Sequence, residues 1–114
     1  MAEAAIQRRQ LMHAILGSRT LTSVDVREIS LQPGQMAGRH LHPCPVVGFI
    51  LAGTALYQIE GEAEQQLPAG SAFYEPADKV VSRFGNGSDT EPMTFLAFYL
   101  LNGEQELITM LQNT

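Results

Sequence analysis

From residue 24 onward the apolar positions fall into short runs at strand-like spacing. Val24 to Leu31 (VDVREISL) opens with Val24 and Val26 two apart, then shifts parity to Ile29 and Leu31, which predicts a strand with a bulge or an edge. Val46 to Leu51 (VVGFIL) is apolar throughout and predicts a strand buried on both faces. Thr54 to Glu60 sets Leu56 and Gln58 against Tyr57 and Ile59, and Glu62 to Leu67 reads as an exposed, polar partner strand. Ala72 to Glu75, Val80 to Phe84 and Met93 to Leu101 complete a set of about eight strands. Breaks at Pro33-Gly34, Pro43 to Pro45, Ala52-Gly53, Glu60-Gly61, Pro68 to Gly70, Pro76 and Gly85 to Gly87 recur roughly every 8–12 residues, the punctuation of an all-β sandwich or barrel. No helical run separates the strands, so a parallel βαβ sheet is excluded.

Helical signal is confined to the ends. Ala2 to Met12 is rich in Ala, Gln, Arg and Glu, all good helix formers, and His13 to Leu16 suits a first strand. Glu104 to Leu111 places Leu107, Ile108 and Leu111 on one side of a short amphipathic helix. These boundaries divide the chain into an N-terminal segment over 1–23 (helix or edge strand), a barrel over 24–101 and a C-terminal helix or tail over 102–114.

Composition narrows the classes. At 114 residues and 45% hydrophobic, the chain is the size of one domain and apolar enough to bury a core. The net charge is −5, and the basic residues are scattered apart from Arg8-Arg9. That argues against a nucleic-acid or anionic-membrane surface, both of which need clustered Lys and Arg. One cysteine, Cys44, makes no internal disulfide and no Cys-rich zinc site. The mixed, polar first ten residues do not read as a secretory signal, and the longest apolar run is far shorter than a bilayer span. The expectation is a cytoplasmic protein with no membrane partner. Long apolar strands in so small a barrel also predict a homodimer.

The candidate chemistry centres on His40-Leu41-His42. Strand side chains repeat every two residues, so both imidazoles share a face and form half a site for a divalent transition metal. By itself His-x-His recurs by chance; its setting is more specific. Gly34, five residues, His40-x-His42 and then Gly53, followed by Pro68-Ala-Gly70 and Asn86, resemble the two motifs of the cupin superfamily. The resemblance covers about residues 24–101. It implies an all-β fold, a single antiparallel jelly-roll barrel with short helical or extended terminal segments.

Two of the family's four usual ligands are missing. The family's Glu falls at about position 46, where this chain has Val46, and its second-motif His falls near position 81, where this chain has Val81. Glu75 is the candidate replacement. It ends the apolar run Ala72-Phe73-Tyr74 just before Pro76, and a carboxylate there needs a compensating partner or an outward aspect. Two histidines and one carboxylate would suit iron, manganese, nickel or zinc. Cys44, held in Pro43-Cys44-Pro45, reads as a packed residue of a stiff loop. The resemblance places Tyr57, Gln58, Tyr74 and Arg83 on barrel-lining strands, making them pocket candidates, beside the aromatics Phe73 and Phe84. Three functions stay open at this point: a metal-dependent enzyme or binder of the oxygenase or isomerase type, a metal-free pocket for a small molecule, and an interaction barrel without catalysis.

Overall fold

The alternating runs assemble into two facing antiparallel sheets in a computed structural model that describes residues 4–112. The strands are β1 (Ser23–Leu31), β2 (Met36–Ala37), β3 (His40–Leu41), β4 (Val46–Ala52), β5 (Thr54–Ile59), β6 (Gln65–Pro68), β7 (Ala72–Glu75), β8 (Val81–Asn86), β9 (Met93–Leu101) and β10 (Thr109–Met110). One sheet runs β1-β9-β4-β7; the other runs β10-β3-β8-β5-β6, with β2 also on β8. Among the described residues there is no helix.

Each main strand sends alternate residues between the sheets. On β9 these are Met93, Phe95, Ala97 and Tyr99; on β7, Phe73 and Glu75. The interior is aromatic at its centre: Phe84 lies 5.0 Å from Phe95 and 5.3 Å from Phe73, between ring centroids. Such tilted pairs add about 0.5–1.5 kcal/mol each beyond the area they bury. Gly48 makes room for that cluster. It faces inward on β4, and a Cβ there would sit 2.0 Å from the Phe73 ring. Gly53 turns the chain between β4 and β5 at φ +82, with the Pro92 carbonyl too close to admit a side chain.

Several expectations are corrected. Of the two readings of β1, the edge holds and the bulge does not: β1 is the outer strand of its sheet and pairs residue for residue with β9 from Ser23↔Leu101 to Leu31↔Met93. Ile29 and Leu31 face inward, whereas Val24 and Val26 lie exposed on the outer face, so the parity change marks two faces of one regular strand. β4 is not buried on both sides: Val46, Gly48 and Ile50 are inside, Leu51 is exposed, and Val47 and Phe49 are half-buried. The helix expected from Ala2 begins on residues outside those described; residues 4–22 carry neither helix nor strand. The expected C-terminal helix over Glu104 to Leu111 is also absent. That segment is irregular and ends in β10, whose Met110 pairs with His40. A main-chain ladder on an open sheet edge there outweighs a weak local propensity.

Candidate metal centre

His40 sits on β3 and His42 just beyond it, where the chain bends into Pro43. Both are buried, at 3% and 5% exposure, and their ring centroids are 5.0 Å apart. The backbone at His42 is fixed from outside the strand, because the Asp78 N–H donates to the His42 carbonyl at 2.8 Å. Asp78 itself turns at φ +64, a conformation that Asp tolerates better than most residues. Glu75 enters from the opposite sheet, buried at 4%. Ligand atoms of His40, His42 and Glu75 all lie within 4.8 Å of one another.

The hydrogen bonds decide which imidazole nitrogens are free. His40 Nδ1 is 2.7 Å from the Gly38 carbonyl, and His42 Nδ1 is 2.6 Å from the Leu107 carbonyl. A carbonyl only accepts, so each Nδ1 carries the proton and each Nε2 is left with the lone pair. Backbone acceptors behind the ring are the usual device for orienting a metal-ligating histidine. Glu75 Oε2 lies in close contact with His42 Nε2. Two lone pairs in that position repel unless a cation lies between them, whether a proton or a metal ion. The donor set therefore fits a divalent metal: two imidazole nitrogens and a carboxylate oxygen on one side, with further positions open.

Burial pulls the His42 pKa down, but the hydrogen bond and charge of Glu75, with the Leu107 carbonyl, outweigh it and leave the value raised, so Glu75 favours a positive charge at His42, which a proton satisfies as well as a metal ion. The three groups line an apolar cavity of about 170 Å³ between the sheets. Its walls come from Ile29, Leu31, Phe73, Phe84 and Phe95 among others, and Ile108 of the C-terminal segment also lines it. Val46 lines it too, and Val81 is buried directly across from His40 in the β3–β8 pair. Of the two family ligand positions that hold valine, Val46 is apolar wall of the cavity and Val81 is buried core beside His40.

The other pocket candidates lie elsewhere. Tyr57 is in the core, but its hydroxyl donates to the Tyr74 carbonyl at 2.7 Å, and burial followed by the Glu75 charge pushes its pKa well up. Tyr74 is half-buried on the opposite face of β7 from Phe73 and Glu75. Gln58 donates to the Glu62 carbonyl, and Arg83 pairs with Glu64 at the surface. Arg83 turns outward because β8 carries one extra residue: Gln58 pairs with Arg83 and Ile59 with Val81, so Ser82 is a bulge and parity slips. Asn86 serves the fold: its amide donates to the Gln32 and Glu91 carbonyls and its oxygen accepts from the Ser88 N–H. Cys44 is fully buried, and burial raises its thiol pKa.

Tyr99 was not a sequence candidate, yet it lines the cavity with its ring 5.8 Å from His42. A signal for it existed, since it is the one polar side chain in the period-2 series Met93, Phe95, Ala97, Tyr99. The Gly38 and Leu107 carbonyls leave no such mark, because any residue type presents a carbonyl.

A family model described as a cupin domain matches residues 27–108. No curated protein matches the chain. Among solved structures, a cupin-like protein from Thermotoga maritima is 21% identical with a TM-score of 0.62, over 68% of this chain and 56% of that one. The DMSP lyase DddQ from Ruegeria pomeroyi is 22% identical with a TM-score of 0.67, over 77% and 43%. An uncharacterised conserved protein with a double-stranded β-helix domain from Klebsiella pneumoniae is 20% identical with a TM-score of 0.65, over 79% and 76%. At these identities the likeness is one of fold. The chain spans about half the length of the first two.

Proposed function

The chain belongs to the cupin domain family, and on that footing we propose that His40, His42 and Glu75 hold a divalent transition metal, over which the cavity binds a small, mostly apolar molecule. The observation that carries this reading is the proton arrangement. Both Nδ1–H groups are spent on backbone carbonyls, so both Nε2 atoms and the Glu75 carboxylate converge with lone pairs to offer. A bound metal would supply Lewis acidity and a coordination position for an oxygen atom of the ligand.

The cavity narrows the ligand class. Its volume of about 170 Å³ is below the roughly 300–1,000 Å³ of pockets that take drug-sized ligands, so the ligand is a small molecule. Of its described lining residues, none is Lys or Arg, and the polar ones are His40, His42, Glu75 and Tyr99. Such a wall suits an uncharged ligand, or one with a single oxygen-bearing head directed at the metal. It disfavours molecules with several charges, which would be desolvated without partners. Tyr99 sets the orientation of that head from the wall, and the aromatic rings exclude water from its apolar part.

Elemental analysis of protein purified without chelator or affinity tag tests the reading. About one transition-metal ion per chain is expected, falling sharply in Glu75→Gln. Protein that carries no metal and also rejects added iron, manganese, nickel and zinc would overturn it, and a proton would then bridge His42 and Glu75.

A further inference from the structure

We propose that Arg27, at the mouth of the cavity, is a carboxylate-binding subsite, and that the ligand is a small monocarboxylate whose other, uncharged end brings one oxygen to the metal centre. This rests on the reading of the cavity as a ligand site over His40, His42 and Glu75, and adds an outer end to it. The strand register carries the inference. Across the four-stranded sheet Asp25 pairs with Tyr99, Tyr99 with Val46, and Val46 with Glu75. Directly paired residues share a face, so these four form one inward row from β1, the outer strand, to the metal centre. Arg27 lies two residues from Asp25, hence on the same inner face, and Ile29 two residues further on lines the cavity. Its neighbour on β9 is Ala97, so only a methyl group stands beside it there. At about 4.8 Å per strand the β1 backbone is about 14 Å from that of β7. The side chains of Arg27 and Glu75 take up part of that span and leave room for a ligand a few carbons long.

The guanidinium is held in carboxylate-binding geometry and is not used up. Its Nε donates to Asp25 Oδ1 at 2.9 Å and its Nη2 to Asp25 Oδ2 at 3.3 Å, which fixes one edge of the group. Among the described residues nothing accepts from Nη1, so the second edge still offers two parallel N–H donors, the fork that takes a carboxylate. The Asp25–Arg27 pair joins residues two apart on one strand and its side chains are 34% and 56% exposed, so it ties no distant parts of the fold together and adds little stability. What it does is orient Arg27, which makes Asp25 a positioning residue.

Tyr99, between the two ends of the row, points the same way. It is only 7% exposed, yet among the described residues its hydroxyl has no hydrogen-bond partner. No fully buried polar atom lacks a partner, so this oxygen opens onto the cavity or its mouth, where a ligand can reach it. Burial and then the Glu75 charge raise the Tyr99 pKa while Arg27 opposes them, which places the metal centre and the guanidinium within electrostatic reach of one hydroxyl. The mouth is also where an anion is cheapest to hold. A carboxylate on half-exposed Arg27 keeps water on its other side, whereas the apolar interior would strip it.

Titration calorimetry at low salt with ω-hydroxy acids of three to six carbons, each beside its uncharged amide, tests the subsite. The best-binding acid is expected to bind about tenfold more tightly than its amide, the scale of a hydrogen bond to a charged group. Arg27→Gln should weaken the acid alone and bring the pair within about twofold, and Arg27→Lys, which keeps the charge without the fork, should retain only part of the preference. In the unaltered chain, added salt should shrink the preference too, because the subsite is half exposed. Equal affinity for acid and amide in the unaltered chain, a preference that survives Arg27→Gln or is indifferent to salt, or no binding by any member of the series would each overturn the proposal. Metal content separates this subsite from the metal centre. Arg27→Gln should hold as much metal as the unaltered chain, and the acid preference should persist in chelator-treated protein, because Arg27 supplies it. A chain without metal that still prefers the acid would sink the metal reading and uphold the subsite; full metal occupancy with no preference would do the reverse.

Discussion

Glu75 stands directly across the β4–β7 ladder from Val46. Facing residues in an antiparallel pair hold their Cβ atoms about 4.5–5.5 Å apart on the same side of the sheet. Position 46 is where the family resemblance puts a glutamate, and both residues line the cavity. The carboxylate has in effect moved one strand over while still facing His40 and His42.

That relationship predicts a rescue. Glu75→Gln is expected to lower metal affinity by more than the roughly 10–100-fold that loss of an outer-shell partner costs. The double change Val46→Glu/Glu75→Val should restore most of it, because the carboxylate returns to the same face one strand away. Chelator-competition titration of the three proteins decides, and a double variant no better than Glu75→Gln would refute the equivalence of the two positions.

The C-terminal segment is predicted to support the metal centre through the Leu107 carbonyl, besides giving Ile108 to the cavity wall. Ending the chain after Gln105 removes the Leu107 carbonyl that holds His42 Nδ1, and it removes Ile108 from the cavity wall. Metal affinity should fall about 10–100-fold while circular dichroism still reports the β fold. Affinity within twofold of the full chain would show that the carbonyl does not orient His42.

Alkaline pH should expose the Tyr57 contact. Burial, then the charge of Glu75, raises the Tyr57 pKa above its ordinary value of 10. A group raised in the folded state contributes stability that is complete below its unfolded value and is lost as pH climbs above it. Unfolding free energy from urea titrations should therefore begin to drop above about pH 10. Tyr57→Phe should flatten that drop and cost about 1 kcal/mol at neutral pH through the lost hydrogen bond. An alkaline limb as steep in Tyr57→Phe as in the unaltered chain would assign the effect to other groups.

Gly48→Ala should destabilise the barrel by about 1–3 kcal/mol. Its Cβ would fall 2.0 Å from the Phe73 ring, which is packed against Phe84 and Phe95 and has little room to tilt. A urea midpoint equal to that of the unaltered chain would mean that the cluster repacks freely.

The longer strands, their order in the chain and the all-β class were legible because period-2 alternation and Gly/Pro punctuation are local properties, whereas the two-residue β2 and β10 were not. The runs read from Ala72 to Glu75 and from Met93 to Leu101 are β7 and β9 residue for residue. The inward pairing of His40 and His42 was legible for the same reason, since two residues along a strand is one face. What lies across a sheet was not legible. Glu75 could be read as inward or solvated until the register placed it opposite Val46. Arg83 was misjudged because a bulge at Ser82 reverses parity without any mark in residue type. The ends were misjudged because helix propensity over Glu104 to Leu111 is weak beside a main-chain ladder on β3, and that choice depends on an edge the local sequence does not contain. Local periodicity sets which faces exist; only the tertiary pairing decides which side chains meet on them, because contact between strands depends on register and on bulges that no single strand encodes.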